Sequence, residues 1–364
     1  MKFLNFCWCA VIFLNINVQF CFGKLSCKDD KNRDVDWYVM YKIPKISDER
    51  EGTNLGEGTA YAYITSSKPG NWKLSSKSVT DGSLLENTLE DFNAKKKEAS
   101  YLFYNDDPPE GYFGTAVGHL KGVLAFDAFS GFWLIHSIPR FGDENKFEFP
   151  ENAMVNGQSI LCVTFHTKTL NEICNQLLYC HPNIYSSELT DEVAQFLDDS
   201  AKSIFTDNPA FIRKDPLTRA VKLKSLKNKS FVSFAKDNQF NHDLYSDVIA
   251  PGLKSSLVTE TWRRGSGMFL PASCKSDYSV LDIVTMNMTV VDKKKTKNIL
   301  FKSTEDHSKW AASAANDKSW ICVGDMNRMA SQAKRGGGAL CFESAPVWNA
   351  YRSAVSETDQ CPGK

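Results

Sequence analysis

Gly118-His119-Leu120-Lys121-Gly122-Val123-Leu124 and Asp306-His307-Ser308-Lys309-Trp310 carry the same triplet, His-x-Lys, 188 residues apart. A tryptophan-bearing apolar run and then an arginine follow each one. After the first comes Phe132-Trp133-Leu134-Ile135-His136-Ser137-Ile138-Pro139-Arg140; after the second, Ser319-Trp320-Ile321-Cys322-Val323-Gly324-Asp325-Met326-Asn327-Arg328. The repetition points to two related mixed α/β halves that pack together and share one site. Residues i and i+2 of an extended strand face the same way, so His119 would stand beside Lys121 and His307 beside Lys309. A third triplet, His166-Thr167-Lys168, has no such run behind it and is expected at the surface. Triplets of this kind arise by chance, so the flanking strands carry the argument.

The chain opens with Lys2, an apolar run around Cys7-Trp8-Cys9-Ala10-Val11-Ile12-Phe13-Leu14 and small residues near Gly23. This has the form of a signal peptide over residues 1–23. The apolar run is too short for a membrane helix, which needs about 20 such residues. Eight cysteines follow it, at 27, 162, 174, 180, 274, 322, 341 and 361. An even number in an exported chain favours disulfides, and Cys174 and Cys180 are close enough in sequence to form a local pair. Neither C-x-x-C nor H-E-x-x-H occurs, which speaks against zinc; no metal or other cofactor is expected. The sequons at Asn228 and Asn287 would be usable on a secretory route. Forty-three basic and 43 acidic residues cancel. No global basic field is present, so a polyanion must be held by local lysines and arginines.

Strands are expected over Asp36–Pro44, Thr59–Thr65 and Tyr101–Tyr104, with a turn at Lys68-Pro69-Gly70. Gly122–Phe126 and Phe132–Ile135 would form a hairpin. Helices are expected over Ser83–Phe92 and Thr190–Ile204. Residues 24–205 and 206–364 are taken as the two halves, joined by the polar stretch 203–229 with Pro209 and Pro216.

The motifs suit phosphodiester attack. A neutral imidazole can form a phosphohistidine while an opposing imidazolium protonates the leaving oxygen. Lys121 and Lys309 would neutralise the crowded transition state without a metal. His119 is expected as nucleophile and His307 as general acid, then base, with His136 and Asn327 as substrate contacts. Arg335-Gly336-Gly337-Gly338 offers backbone amides to a polyanion, or a turn before Cys341.

Nearly the whole chain after residue 23 resembles the deoxyribonuclease II family of the phospholipase D-like superfamily. The blocks that carry the likeness include Asp36-Trp37-Tyr38-Val39-Met40-Tyr41-Lys42, Leu102-Phe103-Tyr104-Asn105-Asp106, both His-x-Lys motifs, Gly157-Gln158-Ser159-Ile160-Leu161-Cys162 and Arg335-Gly336-Gly337-Gly338. The resemblance implies a phospholipase D-like pseudo-dimer with its site between the halves, and metal-independent cleavage of double-stranded DNA at acid pH to 3′-phosphate ends, in a secreted or lysosomal setting. It places His119, Lys121, His307 and Lys309 on catalytic positions and His136 on another tied to activity. It also implies bridges Cys27–Cys162, Cys274–Cys361 and Cys322–Cys341. Leu120 stands where Thr is usual, and Asp127 and Asp317 lie too far after the lysines to match the superfamily's aspartate. Two rival readings are an exported, catalytically weak relative that binds nucleic acid or a host protein, and a phospholipid-cleaving enzyme.

Overall fold

The computed structural model describes residues 24–111, 117–264, 268–274 and 277–361, so the expected signal peptide lies outside the described residues. A short ribbon pairs β1 (Cys27–Lys28) with β2 (Asp34–Val35). There follow β3 (Trp37–Lys42), β4 (Tyr61–Thr65), β5 (Lys68–Leu74), β6 (Ser100–Asn105), β7 (Lys121–Phe126), β8 (Ser130–His136), β9 (Gln158–His166) and β10 (Ile184–Glu188). The later strands are β11 (Thr218–Lys224), β12 (Ser230–Lys236), β13 (Leu257–Glu260), β14 (Val280–Asp292), β15 (Lys295–Lys302), β16 (Trp310–Ser313), β17 (Trp320–Gly324), β18 (Gly337–Glu343) and β19 (Val355–Thr358).

Pairing runs β10-β6-β7-β8-β9-β3-β4-β5, antiparallel throughout. A second antiparallel set runs β11-β12-β18-β17-β16-β13. β14 joins them, lying parallel to β13 at its start and to β5 near its end. Within this mixed sheet one pattern occurs twice. β6-β7-β8-β9 and β13-β16-β17-β18 have the same chain order and the same antiparallel neighbours. A helical segment precedes each set, at Leu84–Lys95 and Tyr245–Leu253, and a helix follows each, at Leu170–Cys180 and Ala345–Arg352.

The strand sequences explain the layering. β3 is buried at every position, as expected of a strand covered on both faces. Trp37, Val39 and Tyr41 enter a large core that also takes Trp310, Ile321 and Phe342. Tyr38 and Met40 point the other way, into a core closed by Leu84, Leu85, Leu89 and Phe92 of the first helix. Ser83 starts that helix by accepting the Glu86 N–H at 3.1 Å, an N-cap of ordinary form. A third core gathers Leu244, Tyr245, Ile249 and Leu253 with Ala311 and Cys322.

Three expectations are corrected. Lys68-Pro69-Gly70 opens β5, and the turn lies just before it, at 66–67. The helix expected over 190–204 is two short helices, Asp191–Ala194 and Asp199–Ser203. Asp198 interrupts it, because its carboxylate takes the Ala201 N–H at 2.8 Å and starts a new helix. Cys174 and Cys180 are free, buried thiols. Both lie on helix Leu170–Cys180, where six residues span about 9 Å along the axis, beyond the roughly 7 Å Cα separation a disulfide allows. The bridges Cys27–Cys162, Cys274–Cys361 and Cys322–Cys341 are formed. Asn228 is exposed in the turn between β11 and β12, whereas Asn287 is half-buried within β14 with its side-chain oxygen enclosed. Among the described residues no helix is long and apolar enough to cross a membrane.

Candidate active site

His119 and Lys121 stand at the entrance to β7, and His307 and Lys309 immediately before β16. Each motif is held by chain from the far end of the sequence. The His119 N–H donates to Gly336 O at 2.8 Å, and the His307 N–H donates to Gly157 O at 2.9 Å. The His119 Nδ1 lies 2.6 Å from Asp325 O, and the His307 Nδ1 lies 2.9 Å from Ser137 O. Asp325 and Ser137 are each the first residue after the hairpin strand, β17 and β8. The bracketing is thus reciprocal, as in a two-fold interface where i meets j and j meets i.

The chemistry of these bonds fixes the ring tautomers. A backbone carbonyl only accepts, so each Nδ1 carries a proton and each Nε2 is left to react. Glycine is needed at both bracketing points. A Cβ on Gly157 would lie 2.3 Å from Asp306 Oδ1, and one on Gly336 would lie 2.3 Å from Cys180 O. The run Arg335-Gly336-Gly337-Gly338 therefore enters β18 and packs closely there, rather than forming a flexible turn.

The two motifs differ in their charges. Lys121 Nζ is hydrogen-bonded to Asp106, which also lies 3.8 Å from His119 Nε2 and 3.2 Å from Arg335 Nη2. Burial alone would raise the Asp106 carboxyl, but His119, Lys121 and Arg335 hold it well below the usual range. Burial pulls His119 down to about 3, against an opposing pull from Asp106. Lys309 is only 1% exposed, and among the described residues no carboxylate forms an ion pair with it. Its Nζ donates to His307 O at 2.5 Å and lies 3.1 Å from His307 Nδ1. Burial, then Lys121, push the Lys309 ammonium well below its ordinary value. His307 is lowered by burial and then by Lys309, Lys121 and His119. Each motif thus feels charge from the other. Behind the second motif, burial pushes the Glu260 carboxyl well above its ordinary value, with neither oxygen hydrogen-bonded among the described residues.

The other expected site residues play more specific parts. His136 is 1% exposed, its Nδ1 accepts the Ile138 N–H at 3.2 Å and its Nε2 has no partner among the described residues. Burial, then Lys121, lower its imidazole to about 3. Asn327 Oδ1 accepts the Trp262 N–H at 3.1 Å, and the Trp262 ring meets His307 edge-on with centroids 5.1 Å apart. Asn327 thus holds the backbone of the residue whose ring packs against His307. His166 is exposed, as expected. Asp127 caps the β7–β8 turn by accepting the Phe129 and Ser130 N–H groups at 2.7 and 2.9 Å. Arg328 is buried on Asp243 and Asp282, at 3.2 and 2.5 Å, while Arg140 is largely exposed, so the two arginines after the hairpins are not equivalent. Sequence reasoning missed Asp106 and Trp262 as parts of the site, and read the Arg335 segment for its backbone amides rather than for the guanidinium that meets Asp106. Among the described residues no three His, Cys, Asp or Glu side chains converge as a metal site would require.

Comparison with known proteins gives the family. The family model for deoxyribonuclease II matches residues 26–361. Deoxyribonuclease-2 of Caenorhabditis elegans is 35% identical, over 97% of this chain and 98% of its own length. Plancitoxin-1 of Acanthaster planci is 36% identical, over 93% of this chain and 92% of its own. Human deoxyribonuclease-2-beta is 32% identical, over 97% of this chain and 96% of its own. The chain belongs to the deoxyribonuclease II family and is a deoxyribonuclease.

Proposed function

We propose that this deoxyribonuclease is an acid endonuclease that cuts double-stranded DNA to 3′-phosphate ends through a phosphohistidine, without a metal ion. The reading treats the chain as a pseudo-dimer of halves 24–205 and 206–364 with the site at their junction. The reciprocal holding of the two histidines carries it, since both rings are fixed through Nδ1 and both Nε2 atoms are left to react.

One neutral Nε2 attacks phosphorus, an N–P bond forms, and the 5′-oxygen leaves with the proton of the opposing imidazolium. That second imidazole then takes a proton from water, whose oxygen attacks phosphorus and breaks the N–P bond. The 3′-phosphate departs and both histidines return to their starting states. Lys121 and Lys309 balance the charge on the non-bridging oxygens. An arriving phosphodiester anion would give Lys309 a direct ion-pair partner, which no carboxylate among the described residues provides.

Asp106 favours a division of roles opposite to the one expected from sequence. An attacking nitrogen must be neutral, and a general acid must be protonated. Asp106 lies 3.8 Å from His119 Nε2, and among the described residues no carboxylate lies comparably close to the His307 ring. Of the two rings His119 is then the better placed to hold a proton, so it is the acid and later the base, and His307 the nucleophile. His136 Nε2, buried and unpartnered, is a donor for the phosphate or for a water beside it. Passage through the secretory pathway, to the lysosome or outside the cell, belongs to the same proposal and is supported by the three bridges.

Supercoiled plasmid incubated at about pH 5 in excess EDTA, in the range where histidine titrates, tests the reading. Nicking by the wild type but not by His307→Ala is the expected result. Loss of nicking in EDTA that added divalent metal restores would overturn the metal-free mechanism. Binding of DNA without nicking would favour the catalytically weak relative.

A further inference from the structure

Two buried lysines outside the motifs occupy matching places. Lys42 ends β3 and Lys236 ends β12, and both are 0% exposed. β3 pairs with β9, placing Lys42 opposite Gln158; β12 pairs with β18, placing Lys236 opposite Gly337. Lys42 Nζ donates to Met154 O and, at 2.8 Å, to Asn156 O. Lys236 Nζ donates to Ala333 O at 2.7 Å and to Arg335 O at 2.6 Å. Counted back from Gln158 and Gly337, the two acceptors stand at the fourth and second positions in both cases. The position between acceptor and strand is Gly157 in one loop and Gly336 in the other. Their carbonyls receive the His307 and His119 N–H groups.

We infer that Lys42 and Lys236 are positioning residues for catalysis, each fixing the loop that holds the histidine of the other motif: Lys42 for His307, Lys236 for His119. This deepens the functional reading above and rests on it for the catalytic consequence. An ammonium is costly to bury, and the fold buries two at equivalent points where an apolar end would satisfy packing. Two carbonyls on one ammonium fix a loop in a way that no apolar contact can, because the bonds are directional and charge-assisted. Both lysines are charged under acid conditions. Burial lowers Lys42 only to about 7, with Asp306 opposing, and Lys236 only to about 8, with Asp243, Cys180 and Asp237 opposing.

The test uses the full chain after residue 23 with Lys42→Met and Lys236→Met, each similar in length to lysine but without a donor. Plasmid nicking at pH 5 gives kcat and KM, and histidine-labelled NMR reports the imidazole signals, assigned with His119→Ala and His307→Ala. Expected is a fall in kcat of about 10–100-fold with KM little changed, the scale of effect that small misplacements produce. In Lys42→Met the His307 signals move and those of His119 stay; in Lys236→Met the converse holds. Unchanged kcat, or equal movement of both histidines in either variant, would overturn the inference in favour of a merely structural role. If a methionine variant does not fold, Lys→Gln at the same position keeps a donor but loses the charge and reach of the ammonium; a smaller fall in kcat with the same one-sided histidine movement is expected, and movement of both histidines or of neither would overturn the inference. Should the wild type fail to cut DNA, the functional reading falls, while the NMR result still decides whether each lysine positions the distant histidine.

Discussion

Replacing Asp106 by asparagine removes one charge from the centre of the pocket and nothing from its shape. The carboxylate is 3% exposed, is bonded to Lys121 and lies 3.2 Å from Arg335 and 3.8 Å from His119 Nε2. At 3.8 Å and an effective dielectric constant near 20, its attraction for the imidazolium is about 4 kcal/mol, roughly three pKa units. His119, already lowered to about 3 by burial, would hold a proton still less readily. If His119 is the general acid, plasmid cleavage at pH 5 falls by about 10²–10³-fold and the optimum moves to lower pH. A nitrophenyl phosphodiester, whose leaving group needs no protonation, loses far less. Stability drops as well, by roughly 3–5 kcal/mol, because buried cations lose their counter-charge. The sign follows from linkage: Asp106 is depressed below its ordinary value of 3.8. Its contribution is therefore present above that pH and is lost as acid protonates it. The loss should be seen at pH 5–7 and should shrink below pH about 3. Circular dichroism would establish that the variant is folded, and pH–rate profiles on both substrates would follow. A profile superimposable on that of the wild type, or an equal loss on both substrates, would refute the reasoning.

The same division of roles separates the two histidines directly. His119→Ala should retain a single-turnover release of nitrophenol from the nitrophenyl diester while losing plasmid cleavage, and His307→Ala should lose both; the reverse pattern would restore the order expected from sequence. Thermal stability should fall on acidification, because His119 and His136 are lowered to about 3 from an ordinary 6.5. The unfolded chain takes up these protons first, so stability is full above about pH 6.5 and declines below it, by up to about 1.4 kcal/mol per pH unit for each histidine. His136→Gln should flatten the decline between pH 6 and 4 in a melting series, and a slope unchanged by the substitution would count against the buried, neutral state of that ring.

Strands were legible where the sequence is both β-rich and bounded by turns. Trp37–Lys42 and the hairpin around Asp127 are such places, since each alternates between two cores or is closed by a capping carboxylate. The motif residues were legible because a repeated triplet before a repeated strand is a side-chain pattern. Their brackets were not, because Gly157, Gly336, Ser137 and Asp325 act through backbone carbonyls, which any residue supplies. Lys42 and Lys236 look like ordinary charges at strand ends until the pairing shows that they face inward. Asp106 was hidden in an Asp-Asp-Pro-Pro stretch that reads as a turn. Cys174 and Cys180 misled for a geometric reason: nearness in sequence becomes distance once the chain is helical.

The proposed mechanism requires that residues of both motifs act on one phosphate and that one of them forms a covalent bond to phosphorus. Labelled duplex DNA mixed with enzyme at pH 5 in EDTA, quenched in alkali to preserve phosphohistidine and digested for mass spectrometry, tests it most directly. The expected result is a phosphorylated or oligonucleotide-bearing peptide containing His307, accumulating in His119→Ala with an activated substrate and absent from His307→Ala. Rapid cleavage with no adduct on either motif histidine at any time point would contradict the account.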